Sequence, residues 1–143
     1  MNILVINGPN LNLLGFREPN IYGKNTLNEL MSTLEKNVID LNHNIKIFQS
    51  NHEGNLIDII HDQKDWADGI LINPAAFTHY SYAIRDAIQA VKIPTIEVHI
   101  SDINNRENFR KKSVIREVCI DCVTGLGEQS YNVALEKLIK VRL

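Results

Sequence analysis

The chain has 143 residues, 44% of them apolar and 22% charged, with a formal net charge of −2. That balance suits one globular domain able to bury roughly 68–70% of its unfolded surface, and it lacks the basic footprint of a partner for nucleic acid or an anionic membrane. No apolar run approaches membrane-span length and Met1 leads directly into a strand, so we expect a cytoplasmic protein with no signal peptide and no membrane association.

Taken in chain order, residues 2–7 carry the apolar run Ile3-Leu4-Val5-Ile6 and read as a buried strand. A long connection follows, from Gly8 to Asn25, with three glycines, two prolines, several amides, and Arg17 and Tyr22 toward its far end. An uncovered connection of that length is usually a functional loop or lid. Thr26-Leu27-Asn28-Glu29 reads as a capping box. Behind it Leu27, Leu30, Met31, Leu34, Val38 and Leu41 recur at helical spacing. Ile45, Ile47 and Phe48 predict a second strand ending at Ser50-Asn51, and Leu56, Ile59 and Ile60 a helix. Gly69-Ile70-Leu71-Ile72 predicts a third strand, stopped by Asn73-Pro74. A helix over 78–91, a strand over 95–98, a strand over 118–123 and a helix carrying Tyr131, Ala134, Leu135, Leu138 and Ile139 complete the pattern.

Strands alternating with helices, with continuous apolar strands, predict an α/β domain spanning 1–143. The expected architecture is a flavodoxin-like doubly wound sandwich: a five-stranded parallel sheet, order 2-1-3-4-5, with helices on both faces. In such sheets ligands bind beyond the carboxyl ends of the strands where the order reverses. Strand one ends at Asn7-Gly8, strand three at Asn73-Pro74 and strand four at Glu97-Val98-His99, so polar and ionisable residues gather there.

Several functions of this architecture are excluded. A phosphoacceptor receiver needs acidic residues after strand one and an Asp at the end of strand three, where this chain has Asn7 and Asn73. A flavin phosphate loop would be rich in Ser and Thr, and Gly8 to Gly15 has neither. Gly125-Leu126-Gly127 half-resembles a dinucleotide fingerprint but follows the last strand, and tight-turn glycines before the last helix read better. Cys119-Ile120-Asp121-Cys122 has redox spacing, yet both cysteines fall in a predicted strand and read as buried core thiols. His43 and His61 are expected to face solvent, and the histidines show no metal-ligand spacing. Glu97 and His99 alternate on a strand and point the same way, so the carboxylate can orient the imidazole.

Taken together, these residues resemble the type II 3-dehydroquinate dehydratases over nearly the whole chain. The matching blocks are Asn7 to Gly15, Arg17-Glu18-Pro19 and Tyr22-Gly23; Gln49 to Gly54; Ile72-Asn73-Pro74 with Thr78-His79; Ala83 to Ala87; and Glu97 to Ser101, then Arg106-Glu107 and Phe109-Arg110. Ala75 stands where the family usually has Gly, Phe77 where Tyr is usual, and Asp102 where Asn is common. The resemblance implies a lyase of the shikimate pathway of aromatic amino-acid biosynthesis. It would remove water reversibly from 3-dehydroquinate by anti elimination through an enolate, with no Schiff base, no cofactor and no metal.

By the same resemblance Tyr22 is the general base, tuned by Arg17, and Asn10 holds the enolate oxygen or its water. His99, oriented by Glu97, is the general acid. Ionising an ordinary tyrosine at pH 7 costs about 4 kcal/mol, which is why a nearby cation is needed. Asn73 and the backbone amides of Ile100 and Ser101 would bind the substrate carboxylate, and His79, Arg110 and Asp86 its ring hydroxyls. The Asp86 position would reach in from a neighbouring subunit of a homo-oligomer, a dodecamer built from trimers. Two other readings stay open: a ligand-binding module on the same fold, and another lyase or hydrolase for a polyhydroxylated carboxylate. The strand ends offer no convincing Ser or Cys nucleophile for a hydrolase.

Overall fold

In the computed structural model, which describes residues 1–16 and 18–142, five parallel strands form one sheet in the order β2-β1-β3-β4-β5. They are β1 (Asn2–Asn7), β2 (Asn44–Gln49), β3 (Gly69–Asn73), β4 (Thr95–Val98) and β5 (Asp121–Val123). The helices are α1 (Pro19–Tyr22), α2 (Leu27–Asp40), α3 (Glu53–Asp62), α4 (Tyr82–Val91) and α5 (Ser130–Arg142). None of the described helices is long and apolar enough to cross a membrane.

Alternation along β1 explains the layers. Ile3 and Val5 point to one face, where Leu34, Val38, Ala134 and Leu138 of α2 and α5 cover them. Leu4 and Ile6 point to the other, against Leu56 and Ile60 of α3 and Ile84 and Ile88 of α4. Each fully buried side chain of this kind contributes roughly 1.5–3 kcal/mol. Because β1 lies between β2 and β3, consecutive crossovers leave it in opposite directions and open a crevice at its carboxyl end. Gly8 closes the floor of that crevice: a Cβ there would sit 2.6 Å from the Pro74 carbonyl oxygen. Its N–H donates to the Asn73 carbonyl at 2.7 Å.

The capping of α2 is as expected, with Thr26 Oγ1 accepting from the Glu29 N–H at 3.2 Å. Leu41, however, lies past the end of α2 and is 52% exposed, so it is not a core position. The helix expected from Thr78 begins instead at Tyr82, capped by Ser81, whose hydroxyl accepts from the Ile84 N–H. Residues Ala75–His79 form a separate 3-10 turn because the Thr78 hydroxyl pairs with Ser113 and its carbonyl accepts from Val114. Strand β5 is shorter than expected. Arg116–Val118 wind into a 3-10 turn whose first N–H is taken by the Ser113 hydroxyl, so the chain meets the ladder only from Ile120, whose N–H donates to the Thr95 carbonyl at 2.8 Å.

Cys122 therefore lies in β5 while Cys119 follows the turn, and both are half-buried rather than core. Burial first, and the Glu97 charge second, push their thiols up to about 12 and about 11, so both keep their protons. His61 is exposed as expected; His43 is half-buried, its Nδ1 2.9 Å from the Met1 amine. Gly125 and Gly127 adopt φ of 77° and 57°, as turn glycines do. Their N–H groups donate to the Ser101 and Ile100 carbonyls, tying the turn to the segment after β4.

Candidate active site

A cavity of about 170 Å³ opens beyond the carboxyl ends of β1, β3 and β4. The loop after β1 contributes Asn10 and Tyr22, the segment after β3 contributes Asn73 and His79, and β4 runs on into His99, Ile100 and Ser101. Arg110 closes the rim. These are eight of the residues expected from sequence. Glu97 stands behind His99 rather than in the wall. Asp86 is exposed on α4 and does not line this chain's own cavity. Arg17 lies outside the described residues.

The deepest pair is the one that strand alternation predicts. His99 Nε2 lies 2.7 Å from Glu97 Oε2, and the two are 5% and 0% exposed. A carboxylate only accepts, so Nε2 carries the proton and Nδ1 is the nitrogen left for the cavity. Ser113 Oγ donates to Glu97 Oε1 at 2.5 Å, and Arg116 Nη2 approaches Oε2 at 3.6 Å. Burial pushes the Glu97 carboxyl up, but the His99 bond and charge, the Ser113 hydroxyl and Arg116 outweigh it and hold the group below its ordinary 4.5. The carboxylate behind the imidazole fixes its tautomer and the orientation of its ring.

His79 has the opposite character. Its Nδ1 donates to the Lys112 carbonyl at 2.7 Å, leaving Nε2 as an acceptor. Burial is the main cause lowering its pKa, and the neighbouring His99 and Arg110 lower it further against the opposing Lys112 bond. One histidine is thus kept neutral to accept, and the other is held in one tautomer by the carboxylate behind it.

A family model described as dehydroquinase class II matches residues 1–139 of this sequence. The chain belongs to that family. It is 58% identical to a 3-dehydroquinate dehydratase of Caldicellulosiruptor saccharolyticus, across 97% of each chain. It is 51% identical to one of Bacillus cereus, across 96% of this chain and 94% of that one. The crystal structure of the type II dehydroquinase from Butyrivibrio crossotus superposes with a TM-score of 0.95 at 49% identity, covering 97% of both chains.

The structure adds a residue to which the sequence assigned no role. Arg106 Nη1 donates to the Tyr22 hydroxyl oxygen at 3.0 Å, with its guanidinium carbon 5.4 Å from the centre of the tyrosine ring. It also reaches Ser101 Oγ at 3.4 Å. This charge-assisted bond fixes the phenol oxygen in the cavity wall. Asn10 holds a left-handed backbone, φ 68°, with its N–H donating to Asn51 Oδ1. Arg110 is anchored by Glu107, Nε to Oε2 at 2.6 Å, which aims the guanidinium across the rim. Ala75 also lies in the wall and has φ 51°. A Cβ in this region of the backbone costs roughly 1–2 kcal/mol.

Proposed function

We propose that this cavity performs the reversible dehydration of 3-dehydroquinate to 3-dehydroshikimate, the shikimate-pathway lyase reaction that family membership assigns to the chain, with Tyr22 as base and His99 as acid. The observation carrying the reading is the placement of these two groups on separate elements around one cavity, each with its own charged partner. Tyr22 takes the proton from the carbon next to the ketone, giving an enolate whose oxygen is held through Asn10, an oxyanion-hole role. The imidazolium of His99 then gives its proton to the departing hydroxyl, which leaves as water. No imine forms in this sequence, and neither a cofactor nor a metal takes part in it.

The carboxylate is bound by Asn73 and the backbone amides of Ile100 and Ser101, and the ring hydroxyls by neutral His79 and by Arg110. Arg17 joins Arg106 in stabilising the tyrosinate. Asp86 serves the cavity of a neighbouring subunit in a dodecamer built from trimers. In support, Asp86 is exposed outside its own cavity, and Tyr82, four residues earlier on α4 and so on the same face, is 60% exposed. Residues 1–143 act as one catalytic domain in the cytoplasm.

Adding 3-dehydroquinate and following the enone absorbance of 3-dehydroshikimate, with and without borohydride treatment, tests the reading. A rise that survives borohydride is expected. A rise abolished by borohydride contradicts the mechanism, and no rise contradicts the reaction.

A further inference from the structure

Asn7 and Asn73 are register partners at the carboxyl ends of β1 and β3, and both are buried, as is Tyr131 of α5 beneath them. The three side chains form one line of hydrogen bonds whose direction is forced. The Ala75 N–H can only donate, so the Asn73 atom 3.1 Å from it is Oδ1. Asn73 Nδ2 therefore faces Tyr131, 3.0 Å from its hydroxyl oxygen, which must accept. The hydroxyl proton goes the other way, to Asn7 Oδ1 at 2.6 Å. Asn7 Nδ2 then ends the line on Met31 Sδ at 3.4 Å, a weak acceptor. Reversing the line would set two donors against each other at Ala75. Burial pushes the Tyr131 phenol well above its ordinary range, so the proton that gives the line its direction stays in place at working pH.

We infer that Tyr131, which does not line the cavity, is a positioning residue: the Ala75 N–H sets the polarity of Asn73, and the Tyr131 hydroxyl holds the amide nitrogen in place, so that the second N–H of Asn73 is kept on the cavity. The inference rests on the reading of Asn73 as a ligand of the substrate carboxylate. It goes beyond that reading by naming what makes the site select an anion. An amide held at both ends loses little freedom on binding, whereas one held only at its oxygen by the Ala75 N–H can swing its N–H away from the carboxylate.

The test compares 3-dehydroquinate with its uncharged carboxamide in the intact protein. In Tyr131→Phe we expect KM for the acid to rise about tenfold, as loss of one ordinary hydrogen bond implies. KM for the carboxamide stays within about twofold, and kcat for the acid within about threefold, on the same scale. Equal rises for both ligands, or a fall in kcat with KM unmoved, would overturn the inference, because general loosening makes no distinction of charge. Should the phenylalanine variant not fold, Asn7→Leu removes the acceptor of the same proton, and it carries the same expectation at about threefold. Asn73→Ala separates the two layers. If it leaves the acid-to-carboxamide preference intact, the reading of Asn73 is wrong and the inference falls with it. If it abolishes the preference while Tyr131→Phe does not, the relay alone is wrong.

Discussion

On the strand side of the cavity, Asn73, Glu97 and His99 are 3%, 0% and 5% exposed and every polar contact named above is internal. Across from them, Tyr22 ends the four-residue α1, which starts behind Glu18 at φ 39° with no side-chain cap. So short a helix has no stability of its own. It is held where Arg106 grips Tyr22 and, further back along the loop, where Asn51 holds Asn10. The strand half is preorganised by the sheet, whereas the loop half is placed by contacts to residues far along the chain. On the proposed roles, recognition and the acid belong to the sheet half and the base to the loop half.

The largest expected break of this division is Tyr22→Phe, which deletes one hydroxyl. It should lower kcat by about 10²–10⁴ with KM little changed, and comparable losses in both would move Tyr22 into the binding set. Glu97→Gln attacks the rigid half and should cost about 1–3 kcal/mol of stability, since its amide NH2 would face either the His99 Nε2 proton or the Ser113 hydroxyl proton. Because the Glu97 carboxyl is held below 4.5, its contribution is present above that pH and lost as pH falls through the lowered value. Urea midpoints across the acid range should therefore vary less with pH in the glutamine variant.

Arg106→Ala sharpens the comparison from the loop side: kcat should fall about 10–100-fold while thermal stability barely moves. A stability loss without a rate loss would make Arg106 a structural clamp. The smallest effect belongs to Ala75→Gly, which relieves the left-handed alanine at φ 51° and should add about 1 kcal/mol in denaturant unfolding.

Which features were legible in the sequence follows from the same physics. The continuous apolar strands between helical segments announce a parallel sheet, whose order followed from the flavodoxin-like architecture they fit, and the alternation of Glu97 and His99 along a strand let their pairing be anticipated. Val118 to Ile120 looked like strand because β-branched residues favour it, but the Ser113 hydroxyl at the Arg116 N–H drew the chain into a turn. Arg106 lies in an irregular segment where no period marks it, and Tyr131 sits in a helical apolar pattern that hides its hydroxyl. Their partners Tyr22 and Asn73 lie 84 and 58 residues away, a separation that no local pattern encodes.

The most direct test of the division between halves is exchange of the proton next to the ketone of 3-dehydroquinate, followed by NMR in deuterated water. His99→Ala should still exchange that proton while water loss collapses, because the base on the loop remains. Tyr22→Phe should lose exchange and water loss together. Exchange at the unmodified rate in Tyr22→Phe would place the base elsewhere and contradict the account.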